Sequence, residues 1–143
     1  MAYLRKTITI EASPETVWAV LGDLAATREW LPGTIDARME GPIRICDTAD
    51  GNEIREEITD YSPGRRTYRY RHIQVPLPVK SSTGKFAVEA GSSGGAVVVL
   101  ESEFDALDPA MESQIERMFG GALEQALESL RRRVEQGVSW QAA

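Results

Sequence analysis

Residues 96–136, AVVVLESEFDALDPAMESQIERMFGGALEQALESLRRRVEQ, contain the two patterns that decide the fold. In the opening stretch, Ala96 to Phe104, Val98, Leu100, Ser102 and Phe104 alternate with Val99, Glu101 and Glu103. That is the period-two pattern of a strand with one face in the core. The period then changes. After Asp108-Pro109, the residues Met111, Ile115, Met118, Phe119, Ala122, Leu123, Ala126, Leu127, Leu130 and Val134 recur at steps of three and four. This spacing predicts an amphipathic helix of about seven turns, long enough to cross a whole sheet.

Working outward, strand-like stretches precede this unit at Ile35 to Glu40, Ile43 to Thr48, Glu53 to Tyr61, Arg65 to Ile73 and Ser82 to Ala90. The breaks between them are turn chemistry: Gly41-Pro42, Asp50-Gly51-Asn52, Ser62-Pro63-Gly64, Pro76 to Pro78, and Gly91 to Gly95. Connections this short pair consecutive strands as hairpins, because parallel neighbours need long crossovers. At the start of the chain, Tyr3 to Glu11 alternates as a further strand. Ser13 then caps a helix, Pro14 suits its first turn, and Val17, Trp18, Val20 and Leu21 form its apolar side. Gly22-Asp23 interrupts that helix, and Leu24 to Trp30 forms a second short one before Pro32-Gly33. The expected fold is α+β, a seven-stranded curved antiparallel sheet with two short helices and one long C-terminal helix across it. Residues 1–137 make one domain, and 138–143 are expected to be a frayed tail.

Composition removes several function classes. A net charge of −6 leaves no basic face for phosphates, and the short runs Arg65-Arg66 and Arg131 to Arg133 sit at a turn and a helix end, so no nucleic acid is expected as a partner. The single Cys46 allows no internal disulfide and, with one histidine, no metal cluster. A reducing compartment, the cytoplasm, is the expectation. No Gly-rich loop joins a strand to a helix as nucleotide phosphates require, so no cofactor is expected. No apolar run is long enough for a transmembrane segment, and no secretory leader pattern opens the chain.

Strand parity selects the inner face. Arg69 and Arg71 want water, so Tyr68, Tyr70 and His72 point inward. The same rule turns in Ile54, Glu56 and Ile58, groups Arg44 with Cys46, and places Ser82, Gly84, Phe86 and Val88 on one face. The small residues Ser82 and Gly84 leave room for a ligand. From neighbouring elements Val98, Leu100, Met118, Phe119 and Ala122 add apolar walls. An unpaired buried charge costs several kcal/mol, so Glu56 and Arg44 should pair or stay near water or a ligand's polar group. His72 is the one side chain whose ordinary pKa suits proton transfer near neutrality.

Three stretches carry a family resemblance: Ser13-Pro14-Glu15-Thr16-Val17-Trp18, Trp30-Leu31-Pro32-Gly33, and Asp50-Gly51 followed by Ile54, Glu56 and Ile58. Pro76-Leu77-Pro78-Val79 adds to them. The order of elements and these motifs resemble the helix-grip SRPBCC superfamily, which includes START lipid-transfer domains, plant abscisic acid receptors and polyketide cyclase/dehydrase-like proteins. The motifs are most like the bacterial polyketide cyclase/dehydrase-like branch. The resemblance implies a cavity between sheet and long helix for a hydrophobic small molecule of lipid, polyketide or isoprenoid type. It also implies that Trp30, Leu31 and Pro32 border the entrance, opposite a loop from Gln74 to Val79, and that Glu56 faces the pocket. The ligand-gating motifs of the abscisic acid receptors are absent from Thr48 to Asn52 and from Ile73 to Val79. Two alternatives remain: a cyclase- or dehydratase-like enzyme using Glu56 or His72 for proton transfer, with Tyr68, Tyr70 or Arg44 holding an oxyanion, and a protein-binding module.

Overall fold

The computed structural model describes residues 1–142. Seven strands, β1 (Ala2–Ile10), β2 (Thr34–Glu40), β3 (Ile43–Thr48), β4 (Glu53–Ser62), β5 (Thr67–Gln74), β6 (Val79–Ala90) and β7 (Ala96–Ala106), form one antiparallel sheet. Their spatial order is β1-β7-β6-β5-β4-β3-β2. The last six are a meander. The first pairs with the last, from Ala2 opposite Phe104 to Ile10 opposite Ala96.

Two helical segments bridge β1 to β2. α1 (Pro14–Leu21) starts where Ser13 Oγ accepts the Thr16 N–H at 3.1 Å, with Pro14 in the first turn. It stops at Gly22, whose Cα is covered by the Trp18 ring so closely that a Cβ there would lie 2.5 Å from it. The second segment, Leu24–Glu29, is a 3-10 helix rather than an α-helix. Six residues whose leading Asp23 makes no side-chain cap are too short a run for an α-helix to be favoured.

The long helix α2 (Glu112–Gln136) ends at Gly137, which takes a left-handed φ of 71° and donates its N–H to Arg133 O. It buries Ile115, Phe119, Leu123, Ala126, Leu127 and Leu130 against the inner face of the sheet. These residues fall into two clusters. Leu123 to Leu130 join Tyr68, Tyr70, Phe86, Val98 and Leu100, whereas Ile115 and Phe119 join Ala2, Phe104 and Ala106. A curved antiparallel sheet gripped by one long helix is the helix-grip arrangement, in agreement with the sequence reading.

Four expectations are corrected. Met118, expected in the buried stripe, is 51% exposed. Successive helical residues are about 100° apart, so Met118 is turned off the line that Ile115, Phe119 and Leu123 hold. The tail after Gly137 carries an anchor, since the Trp140 indole N–H reaches Arg28 O at 2.9 Å and Thr34 O at 3.2 Å. The fifth strand begins at Thr67 because Arg66, with φ of 55°, belongs to the preceding turn. Finally, the room expected at Gly84 is filled. Tyr70 lies directly across the strand pair from Gly84 and lays its phenol over it.

That last contact is testable. A Cβ on Gly84 would come within 2.2 Å of the Tyr70 hydroxyl. Gly84→Ala should therefore cost about 1–3 kcal/mol and lower the melting temperature by several degrees in thermal denaturation. An unchanged melting temperature would mean that Tyr70 can swing aside freely.

Candidate functional site

Between the sheet and α2 lies a cavity of about 150 Å³. The sheet contributes Arg44 and Cys46 from β3, Ile54 and Glu56 from β4, Tyr70 and His72 from β5, Phe86 from β6 and Leu100 from β7. Trp30 closes it from the end of the 3-10 helix, and Phe119 and Ala122 close it from α2. Apart from Trp30, which the resemblance implied, these are the residues that strand parity and helix periodicity bring together.

Six expected residues stand elsewhere. Tyr68 and Val98 are fully buried in the packed core beside the cavity, and Ile58 packs against that core. Ser82 is buried behind His72, with its Oγ 2.8 Å from His72 Nδ1. Pro32 and Met118 face outward, and Pro32 borders a separate surface groove with Trp140. The entrance implied by the resemblance is also shifted. Trp30 is only 1% exposed, so it is a wall and not a rim. No residue of Gln74 to Val79 reaches the cavity; Leu77 and Val79 instead pack on the cluster around Phe104 and Phe119.

The sequence reading omitted Thr27, Leu123 and Ala126, and placed Leu31 only at the rim, although all four line the cavity. Leu123 follows Phe119 by four residues and Ala126 follows Leu123 by three, so helix periodicity contained that signal. Thr27 carried none. It is a polar residue in a short helix, and its role depends on Arg44 across the fold.

Register explains the polar side of the cavity. Arg44 stands opposite Glu56, and Glu56 opposite His72, in consecutive strand pairs. Arg44, Glu56, His72 and Ser82 consequently form one row across β3, β4, β5 and β6. Arg44 Nε donates to Glu56 Oε1 at 2.9 Å, and His72 Nε2 lies 3.4 Å from Glu56 Oε2. Arg44 Nη1 reaches Thr27 Oγ1 at 3.2 Å and the Tyr68 hydroxyl at 3.3 Å, and its guanidinium sits 5.4 Å from the Tyr68 ring centre.

Burial alone would raise the Glu56 pKa, but the Arg44 charge and the His72 contact outweigh it and hold the carboxyl down at about 2. Arg44 keeps its charge despite burial, because Tyr68 and Glu56 favour the cation. Burial pushes the Cys46 thiol up to about 11, which leaves it neutral and a poor nucleophile near pH 7. Burial also raises the hydroxyl of Tyr70. Both oxygens of Glu56 and both ring nitrogens of His72 already face protein partners.

Two outcomes follow from the buried row. Arg44→Met leaves an unpaired carboxylate in the core and should destabilise the fold by about 3–5 kcal/mol, read as a lowered urea midpoint. The pH dependence has a definite sign. Glu56 ionises near 2 when folded and near its ordinary 4.5 when unfolded, so its contribution is complete above about 4.5 and is lost as pH falls toward 2. Urea midpoints between pH 5 and 2 should fall less steeply for Glu56→Gln than for the native protein.

Comparison with known proteins places this geometry. The model of the family described as "Polyketide cyclase / dehydrase and lipid transport" matches residues 1–135. Among curated proteins none matches the chain in sequence. Of solved structures, the protein XoxI from Bacillus cereus is similar with a TM-score of 0.87 at 25% identity, covering 95% of this chain and 97% of its own. A START superfamily protein from Mycobacterium smegmatis has a TM-score of 0.82 at 16% identity, covering 95% and 99%. The Zhui aromatase/cyclase from Streptomyces has a TM-score of 0.71 at 21% identity, covering 95% and 97%. At such identities the last two speak for the fold alone. With the family pattern running through nearly all of its length, the chain belongs to the polyketide cyclase/dehydrase and lipid transport family.

Proposed function

We propose that the protein binds a small, mostly apolar molecule in the cavity between the sheet and α2. The observation that carries this reading is the cavity itself. It is a space of about 150 Å³ walled by Trp30, Ile54, Phe86, Leu100, Phe119 and Leu123, where close packing would otherwise leave none. Apolar burial supplies the affinity, and the few polar groups on the wall set the orientation.

The volume bears on the class of ligand. Pockets for drug-sized molecules hold about 300–1,000 Å³, so the cavity as it stands takes a ring or a short branched isoprenoid unit. A long acyl chain or an extended polyketide requires α2 to move. Proton transfer by Glu56 or His72 is less well supported than binding, because their polar atoms are occupied by Arg44, Ser82 and each other. A carboxyl held at about 2 is also a weak base.

The test is to fill the space. Ala126 is buried and lines the cavity, and Ala126→Leu adds a branched side chain there. Saturation-transfer NMR with a panel of neutral ring-sized compounds should show binding to the native protein and its loss in the variant, with the melting temperature held or raised. Undiminished binding in Ala126→Leu would put the site elsewhere, and silence from the whole panel would remove the binding reading.

A further inference from the structure

One hydroxyl on the cavity wall has no partner. Tyr70 is 8% exposed and lines the cavity, and its hydroxyl makes no hydrogen bond to any described residue. Buried polar groups are nearly always paired. Tyr68, the preceding inward residue on β5, shows the ordinary behaviour, since its hydroxyl accepts from Arg44 Nη1 at 3.3 Å. The Trp30 indole N–H also lacks a partner, but its nitrogen is sealed in packing and out of reach of a ligand. The Tyr70 oxygen is not sealed in that way.

The strand pair fixes where that oxygen lies. β5 is the central strand of the seven, and Tyr70 stands on its inner face opposite Gly84 of β6. The ring lies over the glycine, with its hydroxyl 2.2 Å from where a Gly84 Cβ would sit, so it stays beneath α2 and does not run out to a sheet edge. Two cavity walls, His72 and Phe86, have ring centres 5.3 and 6.2 Å from that of Tyr70. The surface the oxygen keeps is therefore surface of the cavity.

Most other polar atoms on the wall are engaged. Both oxygens of Glu56 and both ring nitrogens of His72 face protein partners, and Thr27 Oγ1 accepts from Arg44 while donating to Leu24 O. Arg44 binds through Nε and Nη1, which leaves Nη2. Because Arg44 and Glu56 neutralise each other, an ionic ligand would bring an unmatched charge into the core. Burial raises the Tyr70 pKa, so its hydroxyl stays protonated near pH 7 and can both donate and accept a hydrogen bond.

We infer that the cavity takes a neutral single-ring compound with one oxygen substituent, a phenol or an aryl ketone, and that the Tyr70 hydroxyl pairs with that oxygen. This rests on the binding reading above and narrows it. A cavity of about 150 Å³ holds a benzene-sized ring. Were its wall purely apolar, an oxygenated ring would be disfavoured, because a buried hydroxyl or carbonyl without a partner is costly. Tyr70 removes that cost.

The probes are phenol and toluene, which share a shape and differ by hydroxyl against methyl. Each is titrated into protein labelled at the tyrosine Cζ carbon and followed by carbon NMR, with the Tyr70 signal identified by elimination using Tyr3→Phe, Tyr61→Phe and Tyr68→Phe. Phenol should bind the native protein and shift the Tyr70 Cζ signal. Tyr70→Phe, which removes an unpartnered hydroxyl, should keep or raise the melting temperature. It should weaken phenol about ten-fold and change toluene by less than about two-fold. If toluene binds and phenol does not, or if Tyr70→Phe holds phenol as tightly as the native protein does, the Tyr70 proposal falls while binding in the cavity stands. If neither probe binds the native protein, the binding reading falls and takes the proposal with it. Should Tyr70→Phe not fold, the native Cζ signal decides: a shift with phenol well beyond that with toluene supports the pairing, and equal shifts overturn it.

Discussion

The row of Arg44, Glu56, His72 and Ser82 across four neighbouring strands is the constraint on which the rest of the structure depends. A buried charge without its partner is far more costly than a misplaced apolar residue, so these four side chains tolerate one strand register. A slip of one residue on β4 would turn Glu56 to the outer face and bring Arg55 and Glu57 inward. Arg44 extends the constraint beyond the sheet. By donating to Thr27 it holds the 3-10 helix against β3, and that helix sets Trp30 at its end as a wall of the cavity.

The cavity follows from how α2 meets the sheet. The helix is held at two places, by Ile115 and Phe119 over Phe104 and by Leu123 to Leu130 over Phe86 and Leu100. Between and alongside these contacts it presents Ala122 and Ala126, which are too short to reach across the gap. Small residues on a helix pinned on both sides of them leave a space that the neighbouring large residues cannot relax into. The polar row borders the same space, so one wall is fixed by ionic geometry and the other by side-chain length.

Much of this was legible in the sequence because a sheet with one inner face obeys a simple rule. Arg69 and Arg71 reveal the inward set on β5, and Glu101 and Glu103 do so on β7. The pairing of Arg44 with Glu56 could be read as one of several possibilities, since parity turns them inward but does not supply the register that sets them opposite each other. What escaped depends on side-chain reach across elements. Gly84 looked like free space, yet Tyr70 fills it from the neighbouring strand. Met118 satisfied the three-residue step from Ile115, but a stripe of apolar residues is wider than the contact it makes. Trp140 gave no periodic signal, because its partners are the backbone carbonyls of Arg28 and Thr34 far away in the chain.

The pairing of β1 with β7 has a consequence for how the chain acquires its structure. β2 to β7 can zip together hairpin by hairpin from local contacts, whereas β1 must wait for a partner roughly a hundred residues downstream. During synthesis, the earliest of the seven strands to emerge is among the last to find its place. Its row of Leu4, Ile8 and Ile10 is then the exposed apolar edge that a chaperone, or a neighbouring nascent chain, encounters before the fold is complete.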